Sequence, residues 1–424
     1  MREASRAFAV RFLRAVCEQA RPPHELFQSG EFLSLEKRDR RLTTELFYGI
    51  LRNRERLDYF IRHLSRTAFQ KLDSVVVWIL RVGLYQLEFL RIPAPVAVHE
   101  TVELCRPFGK TSASRFVNGL LRAFLRNRPP LPRGQTAEEL AIRYSHPLWL
   151  VRRYLKRYGL AGAGVLMAGH NQPPASALWV NPFKSNLREF CQRLEQDGIP
   201  YTVPSGLPNS LVVSAPGFAH HPLYQTQQCF FMDLGSQEVI SQVDFSHRRI
   251  LGDFCAAPGG KSFLMASRLD PAARLYCCDS SWRRLRVMRG RAERGRVPRL
   301  IFLLADVARG APFDPCFDFI LLDVPCSGLG TLCSNPDIRW RFEEADLARM
   351  QRRQLSILSN GFSVLRPGSE LIYSTCSTEP EENEDVIREF LHRRKDAKLA
   401  ADPRHHCSHP QGGNSFFSAR IRHC

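Results

Sequence analysis

The C-terminal half of the chain alternates short apolar segments with amphipathic ones, and this pattern restricts the fold more than any other feature. From Arg249 onward the apolar segments are RILGDFC, ARLYCCD, RLIFLLAD, FDFILLD and ELIYST, and helix-like segments separate them. Continuous apolar strands that alternate with helices are typical of a parallel sheet covered on both faces. The sequence therefore predicts an α/β fold over residues 226–424.

The first 130 residues have a different character. They contain 23 Lys and Arg against 13 Asp and Glu, which is more than half of the net charge of +18 carried by the 424-residue chain. Apolar residues recur at helical spacing, as in Leu42, Leu46, Phe47 and Ile50, which predicts a bundle of helices. The excess of basic residues favours a polyanionic partner.

Two further boundaries follow from local composition. The proline-rich segment RPPLPRG, residues 128–134, ends any preceding helix and is typical of a linker. Residues 138–225 then combine helical patterns with short strand-like segments, SALWVNP and SLVVSAP, which predicts a small α+β insert between residues 1–130 and the sheet domain.

Composition also argues against several classes of protein. The longest apolar segment, Ile301 to Leu322, contains charged residues, so we expect no membrane span. The N-terminus lacks the apolar core of a secretory signal. The 13 cysteines include no C-x-x-C spacing, which favours reduced thiols, no metal site and a cytoplasmic protein. The tail residues His405, His406, Cys407 and His409 have no second ligand cluster to complete a metal site, so a solvated tail is favoured.

A glycine-containing turn and three acidic strand ends predict a cofactor site. The first strand of the sheet ends in Asp253, and Asp279 and Asp306 end the next two strands. The turn after Asp253 consists of Cys255, Ala256, Ala257, Pro258, Gly259, Gly260 and Lys261. Open α/β sheets bind nucleotide-like cofactors at such turns, and a carboxylate at the second strand end reaches a ribose diol. Acids at strand ends can also simply cap helices, so each acid by itself is ambiguous.

A phosphate-binding alternative fails on two positions. Gly260-Lys261-Ser262 is similar to the end of a P-loop, and FDFILLD is similar to its acidic strand. The P-loop pattern, however, requires glycine where this chain has Cys255, and Pro258 removes a backbone N–H from the loop that cradles phosphates.

Two cysteines follow neighbouring strands beside the predicted cofactor site. Cys326 lies in DVPCSG after the fourth strand, and Cys376 lies in STCS after the fifth. A thiolate is the nucleophile suited to adding to carbon 6 of a pyrimidine, which activates carbon 5 towards a methyl donor. An acid such as Asp323 then hydrogen-bonds the ring edge and stabilises the developing charge. The residues alone leave open which cysteine attacks.

These motifs resemble those of a known family. DFCAAPGGK, DVPCSGLGTL, NPDIRW and YSTCSTEPEENEDVI, together with LTTELFYGILRNRERLDYFI near the N-terminus, resemble the bacterial RsmB (Fmu or Sun) RNA cytosine-5 methyltransferases. The resemblance implies a Rossmann-like class I methyltransferase domain with a seven-stranded sheet, preceded by a NusB-like RNA-binding domain. One departure is Arg339, which stands where a lysine is common.

The resemblance also implies roles for the site residues. Cys376 is implied to be the nucleophile that forms a covalent RNA adduct, and Cys326 to assist product release. S-adenosylmethionine is the implied cofactor, and its binding site is implied to contain the residues from Cys255 to Lys261 with Asp279, Asp306 and Asp323.

We therefore expect a monomeric enzyme that methylates carbon 5 of a specific cytosine in 16S rRNA, either free or in an early assembly particle. The alternatives are a tRNA cytosine-5 methyltransferase and a non-catalytic RNA-binding or antitermination factor.

One basic segment has a separate interpretation. Between Ser281 and Arg299 there are eight arginines and one glutamate. This segment is expected to be helical, and its arginines either contact RNA phosphates or form a solvated face.

Overall fold

Helices build the first of two compact units, which contains Met1–Gln172 and Asn335–Glu344. The computed structural model describes residues 5–174, 176–215, 217–407 and 414–424. The helices of this unit are α1 (Ser5–Cys17), α2 (Pro23–Phe27), α3 (Gly30–Leu33), α4 (Lys37–Leu64), α5 (Ser74–Phe89), α6 (Ala94–Glu103), α7 (Ser114–Arg126), α8 (Ala137–Tyr144), α9 (Leu148–His170) and α15 (Ile338–Arg341). This helical N-terminal region confirms the prediction for that part of the chain.

Helices α1, α4, α5 and α7 pack around a shared apolar core. Leu46, Phe47 and Ile50 of α4 are fully buried in this core, as their helical spacing requires. Helix α5 begins at a capping aspartate, because Asp73 accepts hydrogen bonds from the first backbone N–H groups of the helix. A buried ion pair joins α4 and α5, in which Arg81 contacts both carboxylate oxygens of Asp58 at 2.7 and 2.8 Å.

The segment Asn335–Glu344 is far along the sequence from the rest of the helical unit. Its Arg339 is fully buried and donates hydrogen bonds to the carbonyls of Ser145 and His170 and to the side chain of Asn171. Trp340 donates from Nε1 to the carbonyl of Leu51 at 2.7 Å. Because a guanidinium offers several donors in a fixed plane, arginine satisfies three acceptors at this position.

The second unit contains Pro173–Ser334 and Ala345–Cys424 and begins with a small antiparallel sheet. Its strands are β1 (Ser176–Val180), β2 (Tyr201–Thr202), β3 (Ser210–Val213) and β4 (Cys229–Phe231), in the order β2-β3-β1-β4. Helices α10 (Leu187–Gln196) and α11 (Pro222–Gln225) follow β1 and β3 along the chain. Leu178, Phe190 and Leu211 belong to the separate apolar core of this part.

A larger sheet forms the rest of the second unit. Its strands are β5 (Ile250–Asp253), β6 (Arg274–Asp279), β7 (Leu300–Leu304), β8 (Phe317–Asp323), β9 (Leu365–Thr375), β10 (Ala397–Leu399), β11 (Arg404–Cys407) and β12 (Ser415–His423). The helices along it are α12 (Leu234–Ser241), α13 (Gly260–Ala266), α14 (Trp282–Gly295), α16 (Asp346–Ser363) and α17 (Glu384–Arg393).

The strand order confirms the predicted methyltransferase fold. Seven strands follow the order β10-β12-β9-β8-β5-β6-β7, and the short β11 pairs with β12. Strands β9, β8, β5, β6 and β7 are parallel, whereas β12 is antiparallel to β9. Their apolar residues belong to two separate clusters of buried side chains, which explains why their sequences are continuous apolar segments.

The division of the chain into 1–130, 138–225 and 226–424 stays a prediction. Among the described residues, no helix has both the length and the apolar character needed to cross a membrane.

Candidate active site

The predicted site residues lie along one edge of the large sheet. Because β9, β8, β5, β6 and β7 are parallel neighbours, the residues that follow them meet at their common carboxyl end. In that order these are Cys376, Asp323, the turn that begins at Cys255, Asp279 and Asp306. Strand β5 lies between β8 and β6, where the chain connections change direction, which is where open α/β sheets bind ligands.

The turn after β5 is held by main-chain and arginine contacts. Ala256 N donates to the carbonyl of Cys278 at 2.9 Å, and Ala257 N donates to Asp279 Oδ2 at 3.2 Å. Arg284 donates to the carbonyl of Ala257, and Arg291 donates to that of Pro258. The turn therefore has a defined shape before any ligand binds.

Glycine is required in this turn at Gly259. Its φ of +104° lies in the left-handed region, and a Cβ there would approach Phe263 at 2.5 Å and Met288 at 2.8 Å. Any larger residue would displace α13 or α14, so Gly259 lets the turn close onto the two helices. Gly260 follows as the first residue of α13, and Lys261 is its second.

Two carboxylates at the neighbouring strand ends are engaged by the main chain. Asp279 is buried and accepts hydrogen bonds from Ala257 N and Ser281 N, one on each oxygen. Asp306 accepts from Ala308 N. A carboxylate oxygen has more than one acceptor position, so both groups retain capacity for ligand hydroxyls.

Two buried groups at the same edge have shifted pKa values. Burial raises the pKa of Asp253 to about 7, although Ser262 donates to its carboxyl at 2.6 Å. Burial also raises the pKa of the Cys255 thiol well above its usual range, and the nearby Asp253 adds to this shift. Cys255 is therefore a neutral thiol.

Lys261 and Asp323 form an ion pair beside this turn. Lys261 Nζ lies 2.7 Å from Asp323 Oδ2, and the lysine side chain is largely buried. Burial by itself lowers the pKa of Lys261, but the neighbouring Asp323 more than compensates and the net shift is upwards. The lysine charge thus holds the Asp323 carboxylate in place at the end of β8.

The chemistry of these residues fits S-adenosylmethionine. That cofactor carries ribose hydroxyls, an ammonium group and a sulfonium centre, and the edge offers carboxylates at the ends of adjacent strands: Asp323, Asp279 and Asp306. The glycine-containing turn after β5 separates Asp323 from Asp279 along this edge.

The thiols of Cys326 and Cys376 lie close together at the β9 end of this sheet edge. The Sγ atoms of Cys326 and Cys376 are 3.2 Å apart, and Cys376 N donates to Cys326 Sγ at 3.3 Å. The hydrogen bond with the sulfur of Cys376, and to a smaller extent burial, raises the pKa of Cys326 well above its usual range. Cys326 therefore keeps its proton in this environment.

A buried carboxylate connects the two cysteine loops, and the sequence analysis did not identify it. Glu382 is fully buried and accepts hydrogen bonds from Ser327 N at 2.8 Å and Gln354 Nε2 at 2.9 Å. Its other oxygen accepts from the hydroxyls of Ser327 and Ser377. Because Ser327 follows Cys326 and Ser377 follows Cys376, Glu382 fixes the positions of the two cysteine loops relative to each other and so keeps the two thiols close. The acidic segment TEPEENE directly after Cys376 was the available signal.

Gly330 permits a second contact between these loops. Its N–H donates to the carbonyl of Cys376 at 2.9 Å. A Cβ at Gly330 would lie 2.3 Å from the Ser415 carbonyl oxygen and 2.8 Å from that of Cys376. Only glycine therefore allows the loop after Cys326 to pack this closely on the backbone of Cys376.

The solvated tail expected for the C-terminal histidines is wrong for His406, which is buried in strand β11, and both His405 and His406 have protein partners. His405 contacts Glu384 at 2.7 Å, and His406 contacts Glu238 at 3.0 Å and Ser418 at 2.8 Å. His409 lies outside the described residues. The part of the chain that the structure describes contains no group of three or more metal-ligating side chains.

Comparisons with known proteins agree with this geometry. The sequence model described as 16S rRNA methyltransferase RsmB/F matches residues 243–420, the NusB family matches residues 3–126, and an RsmF/B-like ferredoxin-like domain matches residues 146–219. The probable ribosomal RNA small subunit methyltransferase B of Synechocystis is 33% identical over 84% of this chain and 82% of that protein.

Solved structures share the fold. The crystal structure of PH0851 aligns with a TM-score of 0.84 at 22% identity and covers 99% of both chains. A methyltransferase homologue from Pyrococcus horikoshii aligns with a TM-score of 0.58 at 25% identity over 67% of this chain and 97% of that one. On these matches the chain belongs to the RsmB family of S-adenosylmethionine-dependent small-subunit ribosomal RNA methyltransferases.

Proposed function

We propose that this protein methylates carbon 5 of a cytosine in 16S rRNA, and that Cys376 forms a transient covalent bond to carbon 6 of that base. The observation that carries the proposal is the pair of thiols, 3.2 Å apart, in the same row as the cofactor-binding residues. A cofactor site by itself would serve many methylation reactions. A nucleophilic thiol beside it is suited to activating carbon 5 of a pyrimidine.

The two cysteines take different roles in the proposed reaction. The Sγ of Cys376 gives its proton to solvent water and bonds to carbon 6, and the ring becomes electron-rich at carbon 5. Carbon 5 would then take the methyl group as the bond between that methyl carbon and the sulfonium sulfur breaks. A water molecule takes the carbon 5 proton, which restores the ring double bond as the bond between carbon 6 and Cys376 Sγ breaks. Cys326 keeps its proton, so it donates a hydrogen bond to the departing sulfur of Cys376 and stabilises it.

The ion pair of Asp323 and Lys261 orients the base. Asp323 ends β8. This strand lies two strands from β6, which ends in Asp279, and next to β9, which Cys376 follows. We assign its carboxylate to accepting a hydrogen bond from the exocyclic amino group of the cytosine, which orients the base, and the Lys261 charge to offsetting the negative charge that builds up on the ring during addition. Lys261 keeps the carboxylate in position at 2.7 Å.

The donor residues act by positioning. S-adenosylmethionine, when bound, supplies an electrophilic methyl group attached to a sulfonium. Asp279 is assigned to its ribose hydroxyls, Asp306 to the outer part of the nucleoside, and the turn from Cys255 to Lys261 to close main-chain contact. A fixed turn keeps the two reactants at a defined distance, which lowers the entropic part of the barrier.

The substrate assignment rests on family membership and on the helical unit. The relatives are named as small-subunit rRNA methyltransferases, and residues 3–126 match the NusB family. The test is to incubate the protein with methyl-labelled S-adenosylmethionine and, in parallel, unmodified 16S rRNA and bulk tRNA. Label in 5-methylcytidine from 16S rRNA supports the proposal. Label only from tRNA contradicts the substrate, and label in another nucleoside contradicts the chemistry.

A trapping experiment tests the cysteine roles. RNA that contains 5-fluorocytosine cannot lose a proton from carbon 5, so the wild-type protein is expected to remain bound covalently. Cys376→Ala should abolish the adduct, and Cys326→Ala should accumulate adduct even on ordinary RNA. Cys316→Ala is the matched control, because Cys316 precedes β8 at the opposite edge of the sheet. An adduct that persists in Cys376→Ala overturns the assignment.

A further inference from the structure

Helix α14 presents an exposed surface that the proposed reaction does not use. Leu285, Met288 and Ala292 are buried on one side of this helix. Trp282 and Val287 of the same helix are each 55% exposed, although both are large and apolar. Strand β7, the last strand of the sheet, lies on the same flank and leaves Leu304 exposed.

Six of the eight arginines between residues 281 and 299 fall into two groups by position. Three of them support the fold: Arg284 and Arg291 hold the turn after β5, and Arg299 donates to the carbonyl of Ala266. Arg286 instead has no side-chain partner within the described part of the chain, and Arg289 contacts only the exposed Glu293, its neighbour one turn away.

The second group surrounds the exposed tryptophan. Two adjoining surface depressions share Trp282 and Arg286. Arg283 and Val287 complete the first depression, and Arg289 and Phe302 belong to the second. An indole ring thus lies in the open beside three guanidinium groups.

We propose that this Trp282 surface, formed by Trp282, Arg283, Arg286, Val287 and Arg289, binds a single-stranded segment of RNA. An exposed aromatic ring offers a stacking face to any base, and arginines around it offer contacts to phosphates. A partner protein would equally bury Trp282, but three arginines, Arg283, Arg286 and Arg289, against the single Glu293 in these depressions complement a polyanion.

The position of the surface indicates which RNA segment it holds. Ser281 caps α14 directly after β6, so Trp282 lies near the edge that carries Asp279. Strand β9, which Cys376 directly follows, is three strands from β6, or about 14 Å at the usual strand spacing. The bound segment therefore flanks the target nucleotide. The proposal rests on the proposed function only for the identity of the RNA and of that target.

Direct binding by the full-length protein tests the surface without any methylation. The probe is a fluorescein-labelled 12-nucleotide RNA that does not form a duplex, measured by anisotropy at several salt concentrations. Trp282→Ala is expected to raise Kd by about 5- to 150-fold, the range for loss of one stacked base, and to leave the salt dependence unchanged. Trp282→Phe should retain most of the affinity.

Arg286→Ala is expected to act differently. It should weaken binding and reduce the slope of log K against log salt by about 0.7, the value for one phosphate contact on a single strand. Arg274→Ala is the matched control, because Arg274 is an exposed arginine at the opposite end of β6. Arg284 is left intact, since it holds the donor turn.

Crosslinking distinguishes this surface from RNA binding elsewhere on the protein. A 5-iodouracil version of the probe is crosslinked by light, and digestion at acidic residues releases the peptide 280–293. Crosslinks in this peptide that disappear in Trp282→Ala support the proposal. Crosslinks confined to other peptides, with wild-type affinity in both variants, overturn it and favour a protein partner at this surface. Either result is independent of whether the protein methylates cytosine.

Discussion

Replacing Glu382 by alanine tests whether a single buried carboxylate holds the two cysteine loops together. Only one of its four donors finds a new partner after the substitution. The hydroxyls of Ser327 and Ser377 lie 3.2 Å apart, so one of them can donate to the other. Gln354 Nε2 keeps its existing hydrogen bond to the carbonyl of Pro325 at 3.1 Å but loses the one that its second hydrogen makes to Glu382. The remaining hydroxyl and the N–H of Ser327 also lose their acceptor inside the protein.

The expected loss of stability follows from these four donors. Three buried donors lose their acceptor, and each such loss costs about 1–3 kcal/mol. The lower end of this range applies, because the cost of burying the Glu382 carboxylate disappears together with its hydrogen bonds. Glu382→Ala should therefore reduce the free energy of unfolding by about 3 kcal/mol. Glu382→Gln keeps the shape, and its amide can donate to hydroxyls that rotate to accept, so it should cost about 1 kcal/mol.

The assay is hydrogen exchange of β8 and β9 in increasing urea, combined with the rate of adduct formation on 5-fluorocytosine RNA. Glu389→Ala is the control, because Glu389 forms a solvent-exposed ion pair on α17 that contributes little. At urea concentrations where Glu382→Ala is still folded, its adduct should form at least 10-fold more slowly, since the thiols are no longer held close together. Equal stability of Glu382→Ala and wild type, or equal losses in Glu382→Ala and Glu382→Gln, would refute the reasoning.

Three further substitutions have defined outcomes. Burial raises the pKa of Asp253 to about 7, so between about pH 4 and 7 the native protein holds a proton that the unfolded chain has lost. The contribution of Asp253 to the free energy of unfolding therefore falls by roughly 4 kcal/mol as pH rises through that window. Asp253→Asn should remove this part of the pH dependence, measured by urea unfolding at pH 5 and 8. Asp58→Ala leaves the buried Arg81 unpaired and should destabilise the helical unit by about 3–5 kcal/mol. Hydrogen exchange of α4 and α5 should therefore become faster, and unchanged exchange there would contradict this. Gly330→Ala should reduce the free energy of unfolding by about 1–3 kcal/mol through overpacking and should slow the trapping reaction, because its Cβ would contact the carbonyl of Cys376 too closely. A variant with wild-type stability and activity would contradict this.

The positions of the candidate site residues along the sheet could be predicted from the sequence. Continuous apolar strands such as FDFILLD predicted buried parallel strands, and the residues directly after them predicted the contents of one sheet edge. The observed order β9-β8-β5-β6-β7 places Cys376, Asp323, Asp279 and Asp306 at the expected strand ends. Strand period and strand-end position are properties of short segments, so they can be read without knowing the fold.

Other features depend on residues that are far apart along the chain. Glu382 meets Ser327 across 55 positions, and Arg339 reaches Ser145 across 194. The registers of β8 and β9 and the packing of Asn335–Glu344 with the helical unit bring these groups together. Their side chains are polar, and a polar residue has the same local pattern whether it is solvated or fully buried. Only tertiary packing removes water from such groups and selects their hydrogen-bond partners.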